Sequence, residues 1–443
     1  MQADLSKKDE QFREFSLNGP MWRVVLYVGF PLALYESLNQ LFKILDTMMA
    51  SHIGASAVSA VAYLSQINMM ISAVGTGLAV GASIKVSQAY GAGDFMLVKK
   101  RVSTMFAMCG ALGIAILLVL VPFTPEFLRL MNTPEEFIAD GSTYFRLELF
   151  GMVITFFNNV YIAIERARGN SKRILILNTA VIVVKLGLTA WFVYGLGGGI
   201  NMISCATIIS QSFLLLAACI NMNQKGNAFG FSLRAISIKK EVICPMLTLS
   251  FPVIVERIAF AVGKVIVNSM STVYGSWTVG ALGISNNIGG ITTNPQNGFQ
   301  EGGSSIISQN LGAGRPKRAL LAFRWVIYID MLIGLVIMTA SLLCLNQLAG
   351  LFAGDNAEFA GMIKQIYRFE AVGAIPLGVN AAVMALLYGF GKTRVTLVMN
   401  FCRVFLFRVP VLWALQQFTD LGNVSAGIVM AVSNVASGAQ IVL

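Results

Sequence analysis

The sequence is dominated by long apolar runs, which restrict the fold more than any other feature. A helix needs about 20 apolar residues to cross the hydrocarbon core of a bilayer, and only helices and closed barrels satisfy their backbone hydrogen bonds there. The runs are continuous and do not alternate, which favours helices. Charged residues make up 12% of the 443 residues, against about 25% in soluble domains. We therefore predict an all-α integral membrane protein with twelve transmembrane helices, at 23–50, 56–89, 102–130, 141–166, 173–196, 199–222, 243–272, 277–310, 319–349, 358–389, 394–418 and 423–443.

The loops between the runs predict the orientation in the membrane, because cytoplasmic loops carry an excess of lysine and arginine. The opposite set of loops holds little beyond Arg129 and includes the acidic stretch NTPEEFIAD. We predict a multi-pass protein of the cell (inner) membrane with both termini in the cytoplasm. The net charge of +11 is spread over short loops, so we expect no nucleic-acid partner. The cytoplasmic set contains Lys99, Lys100, Arg101, Arg166, Arg168, Lys172, Arg173, Lys225, Arg234, Lys239, Lys240, Arg315, Lys317, Arg318, Lys392 and Arg394.

The two halves of the chain repeat one another. Pro31 corresponds to Pro252, 221 residues later, and SQAYGAG at 87–93 corresponds at the same offset to SQNLGAG at 308–314. Six helices in each half give both copies the same orientation. Duplicated lobes with a site between them are a common transporter plan, and duplication without transport, as in a scaffold or receptor, is the alternative. We predict an amino-terminal cytoplasmic segment at 1–22, an N-lobe at 23–222, a cytoplasmic linker at 223–242 and a C-lobe at 243–443.

A polar stripe runs along the first predicted helix. With about 100° per residue, its members share about a third of the helix circumference. Charges inside a bilayer are costly unless they are paired or hydrated. The stripe is therefore expected to face a cavity, although Lys43 in a permanent ion pair with Glu36 or Asp46 is an alternative. The stripe consists of Glu36, Asn39, Gln40, Lys43, Asp46 and Thr47.

The seventh helix repeats this pattern with Glu256, Lys264 and Asn268, which span about 120°. Asparagines of the eighth helix add further polar groups. We predict a substrate cleft lined by Glu36, Asn39, Gln40, Lys43, Lys264, Asn268, Asn286 and Asn287.

Two matched prolines, Pro31 and Pro252, lie early in the first and seventh helices. A proline inside a helix removes a backbone hydrogen bond and favours a kink. The kink is either a static bend or a point where the helix bends and straightens during a cycle, and the sequence leaves both readings open.

The histidine and cysteine content gives no sign of a cofactor. The one histidine, His52, has no catalytic or metal-binding pattern around it, and the six cysteines show no metal-type spacing. We expect the cysteines to be buried small apolar side chains. We predict no metal and no cofactor other than a coupling ion.

Four stretches together resemble the multidrug and toxic compound extrusion (MATE) transporters, with FPVIVE in helix seven closer to the DinF-like subgroup. The resemblance implies two six-helix lobes in a V around a central cleft. It also implies export of bulky, often cationic, amphipathic compounds, driven by entry of H⁺ or Na⁺. The family's acidic residue in helix one corresponds to Asp46, and its helix-four asparagine to Asn159. The stretches are ILDTMMASHIGASAVSAVA, GTGLAVGASIKVSQAYGAGD, FFNNVYIAIERARGNSKRILILN and SQNLGAGRPKRA.

Helix five departs from the pattern that the resemblance implies. Where related transporters often carry an asparagine and, four residues on, an aspartate, this chain has Lys185 and Thr189. We hypothesise that the Lys185 ammonium takes the place of a Na⁺ and pairs with Asp46, so that the pair exchanges protons as a unit. A structural ion pair is the alternative. The second lobe, with Glu256 and Glu370, is another candidate coupling site.

Three other function classes are alternatives to a drug exporter. A flippase or exporter of lipid-linked or anionic lipid-like substrates would use Lys43, Lys185 and Lys264 to bind a headgroup. A channel or receptor has no use for a duplicated, charged cleft. We do not expect an enzyme, because the repeated carboxylates lie in membrane segments and no nucleophile–base pair is apparent. We expect a small-molecule substrate, the lipid bilayer and a monomer.

Overall fold

The computed structural model describes residues 5–50, 55–130, 135–224, 227–354 and 356–439. It describes their side chains apart from those of 43–44, 46–50, 55–63, 66, 135–137, 139–140 and 276. The first half contains helices α1 (Lys7–Asn18), α2 (Met21–Ala50), α3 (Ala55–Ala92), α4 (Phe95–Leu120), α5 (Thr124–Leu130), α6 (Glu135–Ala167), α7 (Ser171–Ala190), which continues into a π-helical turn at Trp191–Gly195, and α8 (Ile200–Met222). The second half contains α9 (Lys240–Ser271), α10 (Ser276–Gly312), α11 (Pro316–Leu343), α12 (Leu345–Ala353), α13 (Ala357–Val372), α14 (Ala374–Gly389), α15 (Thr393–Phe401), a π-helical segment at Cys402–Arg408, α16 (Val409–Phe418) and α17 (Val424–Ala439).

Each of the twelve predicted runs coincides with helix where the chain is described. Within those residues eight helices are long and apolar enough to cross a bilayer, and the bent pair α13–α14 would make a ninth. Three of the predicted runs are divided, which the apolar pattern alone did not indicate. The run at 102–130 breaks after Leu120 because Pro122 cannot continue the helix, and the run at 319–349 breaks at Cys344.

The third division bends a membrane-crossing helix pair. Helices α13 and α14 meet at Gly373 with a bend of 48°. Pro376 lies in the first turn of α14 and has no backbone N–H to bond back across the break. The predicted run at 358–389 is therefore two helices that point in different directions.

The prediction that the cysteines are buried is wrong for most of them. Cys109 is buried, and Cys205 and Cys402 are partly buried, whereas Cys219, Cys244 and Cys344 are exposed on the protein surface. In a chain whose outer surface is apolar, small apolar side chains need no burial inside the protein.

The chain packs as two compact units. Each has its own apolar core: Tyr90, Phe156 and Tyr161 lie in the core of the first unit, and Leu282 and Tyr367 in that of the second. The first unit consists of Met1–Asn18, Leu41–Arg257 and Ser308–Gly314, and the second of Gly19–Gln40, Ile258–Ile307 and Arg315–Leu443. The lobes defined above by the sequence repeat stay a prediction.

The amino-terminal helix α1 is docked on the first unit. The carboxylate of Asp9 accepts two hydrogen bonds from the Arg168 guanidinium, at 2.9 and 2.7 Å. The Tyr90 hydroxyl donates to the backbone carbonyl of Asp9 at 2.6 Å. At the other end of the helix, the Ser16 hydroxyl donates to Gln309 Oε1 at 2.7 Å. The predicted amino-terminal segment therefore contains a helix that is held by buried polar contacts.

Arg168 is the centre of this docking site. Burial alone would lower the pKa of its guanidinium, but the charges and hydrogen bonds of Glu165 and Asp9 outweigh burial and raise that pKa. The Glu165 carboxylate lies 3.0 Å from the guanidinium, and the ring of Phe229 lies 5.2 Å from it. Arg168 therefore remains charged, and α1 and the linker that carries Phe229 meet at it.

The predicted linker between the halves is packed against the first unit. Phe229 is buried and lies edge-on to Tyr90, with 5.0 Å between the ring centres. The backbone N–H groups of Ser232 and Ser237 each donate to a hydroxyl of α4 at 3.1 Å. The linker is therefore fixed to α4 by backbone hydrogen bonds and to α3 by the Phe229 ring.

Candidate functional site

The polar stripe of α2 meets asparagines of α10 within the second unit. Gln40 Nε2 lies 3.3 Å from the backbone oxygen of Asn287 and 3.4 Å from its Oδ1. Asn294 Nδ2 donates to Gln40 Oε1 at 3.1 Å. Gly290 makes the approach possible, because a Cβ there would lie 2.9 Å from the Gln40 amide. The structure thus brings together Gln40 and Asn287, two residues that the sequence assigned to the cleft.

The other residues predicted for the cleft differ in exposure. Glu36 and Asn268 are partly buried, and Asn39 and Lys264 are exposed. Asn286 donates to a carbonyl one turn earlier in its own helix, at 2.9 Å, so part of its hydrogen-bonding capacity is used locally. Lys43 is helical, but its side chain lies outside the described part of the chain.

Three of the predicted coupling residues of the first unit lie on α6 and α7. Asn159 Nδ2 donates to the hydroxyl of Thr76 at 3.3 Å. Lys185 is partly buried, and Thr189 is fully buried with a hydroxyl that has no hydrogen-bond partner among the described residues. The side chain of Asp46 lies outside the described part of the chain. Its pairing with Lys185 therefore stays a prediction.

Helices α2 and α9 keep the proposed kink residues inside continuous helix. Pro31 and Pro252 are both buried, and Pro245 is a further proline inside α9. Glu256, the predicted coupling acid of α9, is also buried, with 6% of its surface exposed. It therefore lies one helical turn beyond Pro252 in the first unit.

A buried carboxylate on α13 is the centre of a charged cluster in the second unit. Glu370 is 9% exposed, and it accepts a hydrogen bond from the hydroxyl of Ser285 on α10. Gly289, one turn further along α10, provides the space, because a Cβ there would lie 2.7 Å from Glu370 Oε1. The repeat of RLELFG (146–151) as RFEAVG (368–373) predicts from the sequence an interfacial ion pair of Arg368 with Glu370. That prediction is wrong, since Arg368 is exposed and Glu370 is buried within the unit.

Three cations gather at one aromatic ring near this carboxylate. The Lys264 ammonium lies 5.4 Å from the ring centre of Phe260. The guanidinium carbons of Arg403 and Arg408 lie 5.7 and 5.8 Å from the same centre. Lys264 is exposed, whereas Arg408 is buried. Because an aromatic face attracts cations, Phe260 holds three positive charges together within electrostatic range of Glu370.

The π-helical segment explains how two arginines share one site. In a π-helix hydrogen bonds join residues five apart, so Arg403 and Arg408 lie nearly in line. Asn434 Oδ1 accepts from both, at 2.8 Å from Arg403 Nη2 and 3.2 Å from Arg408 Nη2. The Arg408 Nε–H donates to the Ser433 hydroxyl at 2.9 Å. Two arginines inside the apolar stretch NFCRVFLFRVPVLW predict pairing with a carboxylate, Glu256 or Glu370. The sequence did not indicate Asn434, because that pairing depends on where α17 packs.

The long apolar helices and the buried charged residues of both units define a polytopic membrane protein. Structures with the same fold have been solved. The structure titled an outward-facing conformation of a multidrug resistance MATE family transporter of the MOP superfamily matches with a TM-score of 0.91, at 21% identity over 99% of this chain and 96% of that one. The match confirms the predicted fold class of an all-α membrane protein with twelve helices in two related halves.

Sequence comparisons agree with the fold. The chain is 24% identical over 409 residues to the probable multidrug resistance protein YoeA of Bacillus subtilis, covering 90% of this chain and 88% of that protein. It is 22% identical over 443 residues to the multidrug export protein MepA of Staphylococcus aureus, covering 98% and 96%. The family model MatE matches residues 31–191 and 252–414.

The chain therefore belongs to the MatE family, as its sequence motifs indicated. It is a multi-pass membrane transporter and not an enzyme. The two matched segments correspond to the two halves of the internal repeat.

Proposed function

We propose that this transporter exports bulky amphipathic, cationic drugs or toxic compounds by secondary active antiport with H⁺, through alternating access of a central cleft. The names of YoeA and MepA support multidrug export. The observation that carries the coupling part is the buried carboxylate of Glu370 in the second unit, with Lys264, Arg403 and Arg408 within electrostatic range of it. A carboxylate whose charge is balanced by nearby cations changes the local electrostatic balance when it gains a proton.

Coupling in this proposal uses acids in both halves. Glu370 and Glu256 are buried carboxylates of membrane-spanning helices. Asp46 and Lys185 form the proposed proton-exchanging pair of the first half, with Asn159 and Thr189 beside it. The transported compound binds among the polar residues of the cleft, and protonation changes the relative stability of inward-facing and outward-facing states. Na⁺ is the alternative coupling ion.

Purified protein in proteoliposomes tests the proposal, with a pH gradient and a Na⁺ gradient imposed separately. We expect the pH gradient to drive accumulation of a cationic dye, and the Asp46→Asn and Glu370→Gln variants to lose it. Glu358→Gln is the matched control, because Glu358 is an exposed carboxylate at the start of the same helix as Glu370. Accumulation driven by Na⁺ alone, or unchanged in the first two variants, would refute H⁺ coupling at these acids.

The Asp46–Lys185 pair has its own test. If Lys185 takes the place of a coupling cation, Lys185→Asn should change the ion dependence of transport, and Lys185→Ala should abolish the response to pH. Transport with an unchanged response to the pH gradient in both variants would leave Lys185 as a structural residue.

A second candidate is export of anionic, lipid-like substrates. It is favoured by the three cations gathered at the Phe260 ring, with Lys264, Arg403 and Arg408 at 5.4, 5.7 and 5.8 Å from its centre. Binding of a cationic dye compared with a phospholipid and a polyprenyl phosphate separates the two functions. Preference for the polyprenyl phosphate, lost in Lys264→Gln, would support the second candidate.

The setting of the transporter completes the proposal. We propose that it acts as a monomer in the cell membrane with both termini in the cytoplasm. The support is the sequence, in which the lysines and arginines concentrate in one alternating set of predicted loops. Labelling of single cysteines placed in the loops, from outside intact cells, would test the orientation.

A further inference from the structure

A second buried acid of the second unit has no role in the proposal above. Asp330 lies near the middle of α11, a membrane-spanning helix. Its exposed fraction is 0%, and neither carboxyl oxygen has a hydrogen-bond partner in the described part of the chain. The run that contains it, WVIYIDMLIGLVIM, is otherwise apolar or aromatic. A native protein rarely leaves a polar side chain in this condition without a reason.

No other charged residue lies within five positions of Asp330 on α11. Helix α14 carries no charged residue between Ala374 and Gly389, and α10 carries only Glu301. Arg324 is the next charged residue on α11. An ionised carboxylate that is buried without a hydrogen bond bears a large desolvation cost, whereas a neutral acid avoids most of it. The charged residues of α13, which also contacts α11, are Glu358, Lys364, Arg368 and Glu370.

The side chain of Gln296, which contacts Asp330, also has an oxygen that receives no hydrogen bond from any described residue. The Gln296 amide donates to the backbone carbonyls of Asp330 and Ala374, both at 3.0 Å, while its Oε1 is buried without a partner. This packing region thus contains acceptors in excess of donors. A proton on Asp330 adds a donor to it, and a hard cation would instead need about six oxygen ligands. The chemistry therefore favours a proton over a metal ion.

The packing region around Asp330 and Gln296 is connected to the bend between α13 and α14. Gln296 binds the Ala374 carbonyl immediately after the break at Gly373. Gly378 allows α14 to touch α11, since a Cβ there would lie 2.6 Å from the Asp330 carbonyl oxygen. Separation of α11 and α14 at this contact would open the buried region around Asp330 to water, which would link ionisation of its carboxyl group to movement of the bent helix.

We propose that Asp330 is a proton-carrying site of the transport cycle. In the conformation described, Asp330 is a neutral carboxylic acid. When α11 and α14 separate, its O–H bond breaks, the proton passes to water in the opened pocket, and the carboxylate remains until the pocket takes up a proton again. The inference rests on the proposed H⁺ antiport for its role in transport, but the protonated state stands independently of it.

Infrared spectroscopy of the purified protein tests the protonated state directly. We expect the wild-type spectrum to contain a carbonyl stretch of a protonated carboxylic acid that is missing in Asp330→Asn. Asp420→Asn is the matched control, because Asp420 is exposed, and its spectrum should keep that band. Loss of an ionised-carboxylate band in Asp330→Asn, with the protonated band unchanged, would overturn the proposal.

Transport gives the second readout. Asp330→Asn should still bind a cationic dye, because the amide resembles the neutral acid, but its efflux driven by a pH gradient should fall by about tenfold or more. Efflux equal to wild type would remove Asp330 from the cycle. If Asp330→Asn does not fold, wild-type protein with carboxyl-¹³C aspartate replaces it, and the absence of any isotope shift in the protonated-acid band would overturn the proposal. Should the wild type export nothing, the infrared result still decides whether Asp330 is protonated.

Discussion

Replacement of Asp9 by asparagine is expected to loosen the amino-terminal helix α1 from the first unit. The Asp9 carboxylate and the Arg168 guanidinium form two hydrogen bonds at 2.9 and 2.7 Å in a site where both side chains are more than nine-tenths buried. Removing one partner of such a pair costs about 3–5 kcal/mol. Arg168 keeps Glu165 at 3.0 Å, so we take the lower end, about 3 kcal/mol.

The assay is amide hydrogen exchange of α1 in lipid nanodiscs. A loss of about 3 kcal/mol corresponds to a roughly 150-fold increase in the fraction of undocked helix. Exchange in α1 should accelerate by a similar factor, while exchange in α6 stays slow. The Arg168→Gln variant should show the same acceleration, and the double variant should be less than additive because both changes remove one interaction.

Glu10→Gln is the control for Asp9→Asn. Glu10 neighbours Asp9 on the same helix and is exposed, so the same change of charge should leave exchange nearly unaltered. If Asp9→Asn and Glu10→Gln behave alike, the ion pair does not hold the helix and the reasoning fails.

Two further predictions concern single packing sites. Gly169→Ala should destabilise the protein by about 1–2 kcal/mol, because φ is +80° there and the new Cβ would meet the ring of Phe12, and a lower Tm checks it. Phe12→Ala in the same background should restore only part of the loss, since the backbone strain remains. Asn434→Leu should lower the free energy of unfolding by about 1.5–3 kcal/mol for each hydrogen bond lost to Arg403 and Arg408, and it should lower dye efflux. A variant with the Tm and efflux of wild type would contradict the shared site.

The helices were predictable from the sequence because each apolar run is long enough to span a bilayer. The breaks were not, since they depend on local backbone chemistry inside an apolar run. Pro122 and Pro376 mark two of them, and both prolines were visible. The docking of α1 was not predicted at all: KKDEQFREF reads as a polar tail until Arg168, far along the chain, pairs with Asp9.

The candidate site was predictable in its residue types more than in its contacts. Gln40 and Asn287 were both placed in the cleft, but only packing shows that they bind one another. Glu370 was recognisable from the sequence because its acid is repeated in both halves. It was wrongly expected at the membrane interface, because a residue near a helix end and a residue on a buried face cannot be distinguished within one helical turn of sequence. Asp330 carried a signal that was overlooked, a lone carboxylate in an apolar membrane run.

The central claim is that a proton moves inward through this protein when a drug moves out. Vesicles loaded with a fluorescent pH indicator measure this most directly, since addition of a transported dye should start a proton flux through reconstituted wild-type protein. The account predicts that flux in wild type and in Glu358→Gln, and its loss in Glu370→Gln. Dye transport in wild type with no accompanying change in internal pH would contradict it.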